Sequence, residues 1–514
     1  MSTSSCSHPF IVNDDASTFL CNADACGPGE LRQYLTNKYA NREIKMVAFC
    51  AAFGAGNCYY NTRQWNRFMG LCDPLNDFLA HRVQNNFALF DQAGLDYFGH
   101  AIQILQELGI KRLASIRMND CHASFSPYCR SAFWLAHPEY RLGSAAKAEY
   151  YAAGLNFALA PVRQFFLDQV QKIIGLFPDL DGIELDFMRS PFFFAAGSEE
   201  QQIPLMNELL LSIRNFLRST GRNYQLAVNV PASPDACRLC GLDVIHWVKQ
   251  NWVDRLAAGY YLASPVVPMT SWRQQLPESL PLYCYTNCSQ QNSQYLSLEN
   301  YYAIAANSLA GGADGLYLFN FCCYDELSFM MPQDPTTSPY PMPDFPAREN
   351  LPDLEKTRSI LGQKLSKNKL EKADKHFQFL MSPQYQPHFP PGPQTWLRQQ
   401  ATLKTQFYCQ NGDLNKIQAE LQWMLVGVTP QDQFEYRLND NPLPTQRSHC
   451  FKGRDVRLHP EKLLPYSAFH AIIPKNVLRN GENQLELQLL NAEANLNCPI
   501  ELRELELKIK AKKR

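Results

Sequence analysis

The chain has 514 residues, too many for one ordinary domain, so a large domain with a smaller one attached is expected. Lysine and arginine number 48 against 49 aspartate and glutamate, a formal net charge of −1, which gives no electrostatic basis for a nucleic-acid or membrane partner. No apolar run is long enough to span a bilayer.

Met1 to Pro9 is small and polar and has no apolar signal-peptide core. A cytoplasmic protein is expected, or a secreted or periplasmic one if a leader has been removed. Strand-like apolar runs then alternate with helix-like segments. Phe10-Ile-Val12 ends in Asn13-Asp14-Asp15, and Met46-Val-Ala-Phe49 leads into a loop with Gly54. Arg112 to Ile116 ends in Arg117-Met-Asn119-Asp120-Cys-His122. The run Asp181-Gly-Ile-Glu-Leu-Asp-Phe-Met-Arg189 follows, then Gln225 to Asn229, Asp254 to Tyr261, Pro281 to Tyr285 and Gly315 to Phe319. Amphipathic stretches lie between them, at Glu30–Tyr39, Gly99–Leu108, Pro161–Phe177, Ile203–Ser219, Val244–Gln250 and Leu298–Ala310. Strands alternating with helices predict a parallel sheet, and eight such units predict a (β/α)₈ barrel over residues 1–340. The alternative is an open doubly wound sheet, but no Gly-rich phosphate loop follows the first strand.

The later chain has a different texture. Pro332 to Pro352 and Pro383 to Pro393 are rich in proline and polar residues, so 341–395 is expected to be a connecting segment. Lys416–Val426, Phe434–Leu438, Gln484–Leu489 and Glu501–Ile509 alternate apolar and polar residues, with turn signals at Asn439-Asp-Asn-Pro442 and Asn480-Gly481. Short alternating strands with turns predict an antiparallel β-sandwich over 396–514. Lys508 to Arg514 is basic and reads as a solvated tail.

The 17 cysteines are odd in number and scattered, which does not suggest a disulfide framework. Cys237-Arg-Leu-Cys240 is a lone CxxC, and Cys284 and Cys288 are four apart; free thiols are expected, not a metal site. No HxH or HExxH spacing supports a metal held by Asp14, Asp120, His122 and Glu184, and no cofactor is expected.

Strand side chains alternate faces, so Glu184 and Asp186 share one face, opposite Ile183, Leu185 and Phe187. A carboxylate pair on a buried strand is costly without partners, yet it fits the C-terminal mouth of a barrel, where catalytic groups sit. Asn13, Asp14, Asp15, Arg117, Asn119, Asp120, His122, Arg189, Asn229 and Asn320 stand at other strand ends. Clustered carboxylates with Arg and His beside them suit acid/base chemistry on a sugar acetal. Tyr260, Tyr261, Trp272 and Tyr285 are expected as a stacking floor for sugar rings. Trp396 and Trp423 are read either as sugar platforms or as core of the sandwich. Arg–carboxylate pairs at a barrel mouth also arise as structural salt bridges, and Asn-Asp-Asp also suits a turn or helix cap.

Ile116–His122, Asp181–Arg189, Gly241-Leu-Asp-Val244 with Trp247, Ala313–Asn320 and Asp374-Lys-His376 together resemble the bacterial glycoside-hydrolase-like family 10 proteins, over roughly residues 8 to 380. The resemblance implies a TIM barrel acting on carbohydrate. The strand-four motif is also similar to that of family 18 chitinases, Asp-Gly-x-Asp-x-Asp-x-Glu. Mapped here, Asp181, Glu184 and Asp186 take the acidic positions and Met188 falls where the acid Glu belongs. A methionine cannot give a proton, and the seventh strand has no carboxylate. A glycoside hydrolase is therefore expected with Glu184 as proton donor and Asp186 or Asp120 as partner carboxylate. Asp14, Asp15, Arg117, Asn119, His122, Arg189, Asn229, Tyr261 and Asn320 are expected to bind the sugar. A non-catalytic carbohydrate-binding barrel and a metal-dependent hydrolase are the alternatives.

Overall fold

The computed structural model describes residues 9–22, 25–287, 296–321, 354–380, 395–396, 402–448, 451–454, 463–491 and 499–512. Both proline-rich stretches and Cys288 lie outside these residues.

The first part is a closed barrel of parallel strands: β1 (Phe10–Asp14), β2 (Ile44–Phe53), β3 (Lys111–Arg117), β4 (Gly182–Asp186), β5 (Gln225–Pro231), β6 (Arg255–Gly259), β7 (Leu282–Asn287) and β8 (Gly315–Phe319). Each pairs with the next, and β8 pairs back onto β1. That last pairing rules out the open sheet. The outward side chains, among them Val47, Phe49, Ile183, Leu185 and Val228, enter one large core with the helices. The inward ones, Ile11, Met46, Ala48, Leu113, Ala227, Ala257, Tyr283, Tyr285, Tyr317 and Phe319, fill the lumen. A filled lumen confines chemistry to the mouth.

The helix Ile203–Ser219 shows how the wall is built. Its buried side chains, Ile203, Met206, Leu209, Leu210, Ile213 and Leu217, recur at helical spacing. Full burial of each contributes about 1.5–3 kcal/mol. Pro204 suits the first turn, where its missing N–H costs nothing. Buried Arg214 ties the helix to the start of β6 by donating to Trp252 O at 2.6 Å and Asp254 Oδ2 at 2.5 Å. Beyond it the chain turns at Gly221, with φ +71°.

Gly182 opens β4 where the next strand is closest. A Cβ there would lie 2.1 Å from the Gln225 carbonyl oxygen. Gly182→Ala is expected to cost about 3 kcal/mol, the upper end for overpacking, read as a lowered Tm in a thermal melt. An unchanged Tm would show that β4 and β5 separate easily there.

The second part is a pair of antiparallel sheets. One contains β9 (Lys375–Leu380), β11 (Ile417–Val426), β13 (Leu463–Ile472) and β15 (Ile500–Ala511), in the order β9-β15-β11-β13. The other contains β10 (Thr402–Cys409), β12 (Gln433–Leu438) and β14 (Gly481–Asn491), with β14 in the middle. Alternate residues of both sheets, such as Leu421 and Leu425 on β11 and Leu485 and Leu487 on β14, share one core. Trp423 is 2% exposed and stacks on Phe469 at 5.8 Å, so it is core and not a sugar platform. The side chain of Trp396 lies outside the described residues. The sandwich takes in β9, which falls within the segment expected to be a connector. Through β9 and β10 it docks on the helix Leu298–Ala310. Asn300 donates to His376 O at 2.8 Å and Asn307 to Tyr408 O at 3.1 Å. No helix among the described residues is long and apolar enough to cross a membrane.

Candidate active site

Glu184 and Asp186 project inward from β4, each 1% exposed. At about 3.3 Å rise per residue, Asp186 stands roughly 7 Å nearer the mouth. Glu184 Oε1 accepts from the Tyr317 hydroxyl at 2.7 Å, and that hydroxyl accepts from Asn229 Nδ2 at 2.9 Å. Burial, then the charge of Asp186, pushes the Glu184 carboxyl up to about 7. Asp186 Oδ1 accepts from the Met188 amide at 2.9 Å, while Oδ2 is buried with no hydrogen-bond partner. Burial raises Asp186 to about 6 against the pull of Arg117, the Met188 amide and Arg189. Both carboxyls of β4 therefore hold their protons to higher pH than free carboxylates do.

Asp120 is the opposite case. Its Oδ1 accepts from the His122 amide at 2.9 Å and pairs with His122 Nδ1. Its Oδ2 faces Arg117 Nη1 at 3.2 Å and Arg189 Nε at 3.9 Å. Burial alone would raise this carboxyl, but His122, Arg117 and Arg189 outweigh it and hold Asp120 well below the usual carboxylate range. Arg189 donates from Nη2 to His122 Nε2 at 2.5 Å and from Nη1 to the Tyr261 hydroxyl. That leaves the His122 proton on Nδ1, facing Asp120. Burial and Arg189 lower the pKa of His122, so the ring is neutral. Arg117 Nη2 pairs with Asp15 Oδ1, and Asn320 donates to Asp15 Oδ2 at 3.4 Å. Asn320 sits at φ +47°. The left-handed conformation, which asparagine tolerates, turns the chain at the end of β8.

The structure thus brings together Asp15, Arg117, Asp120, His122, Glu184, Asp186, Arg189, Asn229, Tyr261 and Asn320. Two expected site residues stand apart. Asp14 is on the other face of β1, where Lys38 Nζ reaches it at 3.0 Å and the Tyr39 hydroxyl at 2.7 Å; it anchors the helix Pro28–Tyr39. Asn119 holds backbone, donating to Phe192 O at 2.5 Å and Leu155 O at 3.2 Å and accepting from Leu155 N at 2.8 Å. Trp272 is fully buried with its indole N–H on Ala232 O, so it cannot meet a sugar. Tyr285 is in the lumen, stacked on Tyr317 at 5.5 Å, with its buried hydroxyl unpartnered. Tyr317, which fixes Glu184, was not among the expected site residues. It shares the inward face of β8 with Phe319, which strand alternation could have shown.

A cavity of about 430 Å³ opens at the other end of the barrel, beside Lys111, Asp179, Asp181 and Arg222. Its acids are already paired, Asp181 with Arg112 and Asp179 with Arg222. The strained electrostatics are at the mouth, which we take as the site. Among the described residues no group of three or more His, Cys, Asp or Glu could hold a metal ion.

The fold and site define a (β/α)₈ barrel with buried carboxylates of contrasting proton affinity at its C-terminal mouth. No protein-family profile matches the chain, and no curated protein matches it. Among solved structures it is similar to a cycloisomaltooligosaccharide glucanotransferase of Paenibacillus sp. in complex with cycloisomaltoheptaose, at 10% identity and a TM-score of 0.33. That match covers 98% of this chain and 58% of the other, so the chain spans less than two thirds of that protein's length. It is also similar to a class V chitinase of Pseudomonas fluorescens Pf-5, at 11% identity and a TM-score of 0.36, over 63% of this chain and 99% of that one. The glycoside hydrolase domain of PelA from Pseudomonas aeruginosa matches at 14% identity and a TM-score of 0.31, over 44% and 85%. The barrel rests on its own strand pairing and not on these likenesses.

Proposed function

We propose that this chain is a glycoside hydrolase, with Asp186 as the acid/base group that meets the glycosidic oxygen. The observation that carries the reading is Asp186 Oδ2, a buried carboxylate oxygen left without a partner at the end of a barrel strand. Such an atom is costly unless a ligand completes it. Glu184, the donor expected from sequence, lies deeper and is held by Tyr317. It lies beneath Asp186 and acts as a positioning residue. Asp120, fixed and ionised, supplies negative charge to an oxocarbenium-like transition state. Arg117 and Arg189 hold Asp120 in place, and Tyr261 and His122 aim Arg189. The resemblance to glycoside-hydrolase-like family 10 proteins supports the same substrate class, an oligo- or polysaccharide.

The test is hydrolysis across aryl glycosides and gluco-, galacto- and chito-oligosaccharides, with wild type beside Asp186→Asn. Turnover present in wild type and lost in the folded variant upholds the assignment, and equal turnover in both removes Asp186 from the chemistry. Met188 favours a second reading: fully buried, it stands where the chitinase motif has its acid. Sugar affinity without turnover of any substrate would make the chain a carbohydrate-binding barrel.

A further inference from the structure

Two exposed aromatic rings stand on the long connection that follows β3. Phe125 is 52% and Tyr150 40% exposed. Their centroids are 5.8 Å apart and their planes 24° from parallel. Phe125 also packs edge-on against the His122 imidazole at 5.4 Å, so the pair is continuous with the Asp120–His122–Arg189 network. The charges of Arg189 and Asp120 both act on the Tyr150 hydroxyl.

The mounting is firm. Tyr150 meets Tyr151 in a T-shape at 5.0 Å, and Tyr151 lies against Phe192 at 3.8 Å. Tyr151 and Phe192 are buried with Cys121 and Leu142 in a small core of their own. Asn119 grips the backbone of Leu155 and of Phe192, a member of this cluster. Two large exposed rings are thus backed by buried aromatics and lie against the charged network of the mouth.

We propose that Phe125 and Tyr150 form a sugar-binding platform, holding a pyranose ring of the substrate beside the bond that Asp186 addresses. The proposal rests on the glycosidase reading. A pyranose has an apolar C–H face and a hydroxyl edge. Here the aromatic faces adjoin polar groups, the Tyr150 hydroxyl and the Arg189 guanidinium beyond His122. Rings with two rotatable torsions offer large contact area at small entropic cost.

The experiment measures calorimetric affinity and steady-state kinetics for cello-, isomalto- and chitopentaose and for aryl monoglycosides. Wild type is compared with Phe125→Ala, Tyr150→Ala, the double variant and Phe125→Tyr. Both residues are exposed, so the alanine variants keep the fold, and Phe125→Tyr keeps the ring. Each alanine variant is expected to raise Kd and KM for the pentasaccharide that wild type binds by up to about tenfold, with kcat unchanged. Phe125→Tyr restores wild-type values, and aryl monoglycosides are affected less. Unchanged Kd and KM in the double variant, with wild-type turnover present, overturn the platform and leave the glycosidase reading standing. Sugar bound without turnover, and lost in the double variant, upholds the platform and overturns the hydrolase reading. No sugar bound by wild type overturns both.

Discussion

Asp186→Asn is expected to lower kcat by about 10²- to 10⁴-fold, the range for loss of a general acid/base, and to raise stability at pH 8. The two effects have one origin. Asp186 has a raised pKa because the folded protein pays to hold its charge in a buried place. An amide of the same shape removes that cost. Activity lost while Tm rises separates chemistry from unfolding, since a merely structural residue would lose both together. The variant also removes the negative charge that raises Glu184, so the Glu184 pKa is expected to fall in a carboxyl-carbon NMR titration. Asp120→Asn has the opposite sign. It leaves Arg117 and Arg189 buried with one fewer counter-charge, so Tm falls along with activity.

Stability is expected to decline as pH rises from about 4.5 to about 7, and to decline less steeply in Glu184→Gln. The sign follows from linkage. Glu184 keeps its proton to about 7 in the folded state and releases it near 4.5 when unfolded. Between those values the native state binds more protons, so each rise in pH favours unfolding; above about 7 the contribution is constant. Asp186 adds a similar decline from 3.8 to about 6. Asp120 and Asp14 act the other way: their lowered pKa values give stability that is complete above 3.8 and lost as pH falls. Urea denaturation of wild type and Glu184→Gln at half-unit pH steps reads this directly. Parallel curves for the two proteins would show that Glu184 does not carry its proton to neutral pH.

Much of this was legible because strands and helices write their periods into sequence. The barrel strands were recoverable from short apolar runs, and the inward pair Glu184 and Asp186 followed from alternation alone. Helix Phe78–Gln92 was not recovered. Its buried Ala80, Val83, Phe87 and Phe90 are interrupted by Arg82, Gln84, Asn85 and Asn86. Asn86 is itself buried because it donates to Leu20 O and accepts from Cys26 N, which no local pattern reveals. Asp14 and Asp15 look alike in sequence, yet one step along β1 puts them on opposite faces. The roles of Asn119 and Phe125 depend on contacts with residues far along the chain. So does the start of the sandwich, since β9 is stabilised by pairing with β15.

That pairing has a consequence for biosynthesis. β15 lies between β9 and β11 and hydrogen-bonds to both, although it leaves the ribosome after every other strand described. The barrel strands are complete once residue 319 has emerged, so the barrel is able to close while the sandwich still lacks the strand that joins β9 to β11. Until β15 arrives, β9 and β11 present unpaired edges to the cell, the kind of edge that invites association with other chains. A stalled or clipped product missing residues 500–511 would keep its carboxylate mouth and leave those two edges open.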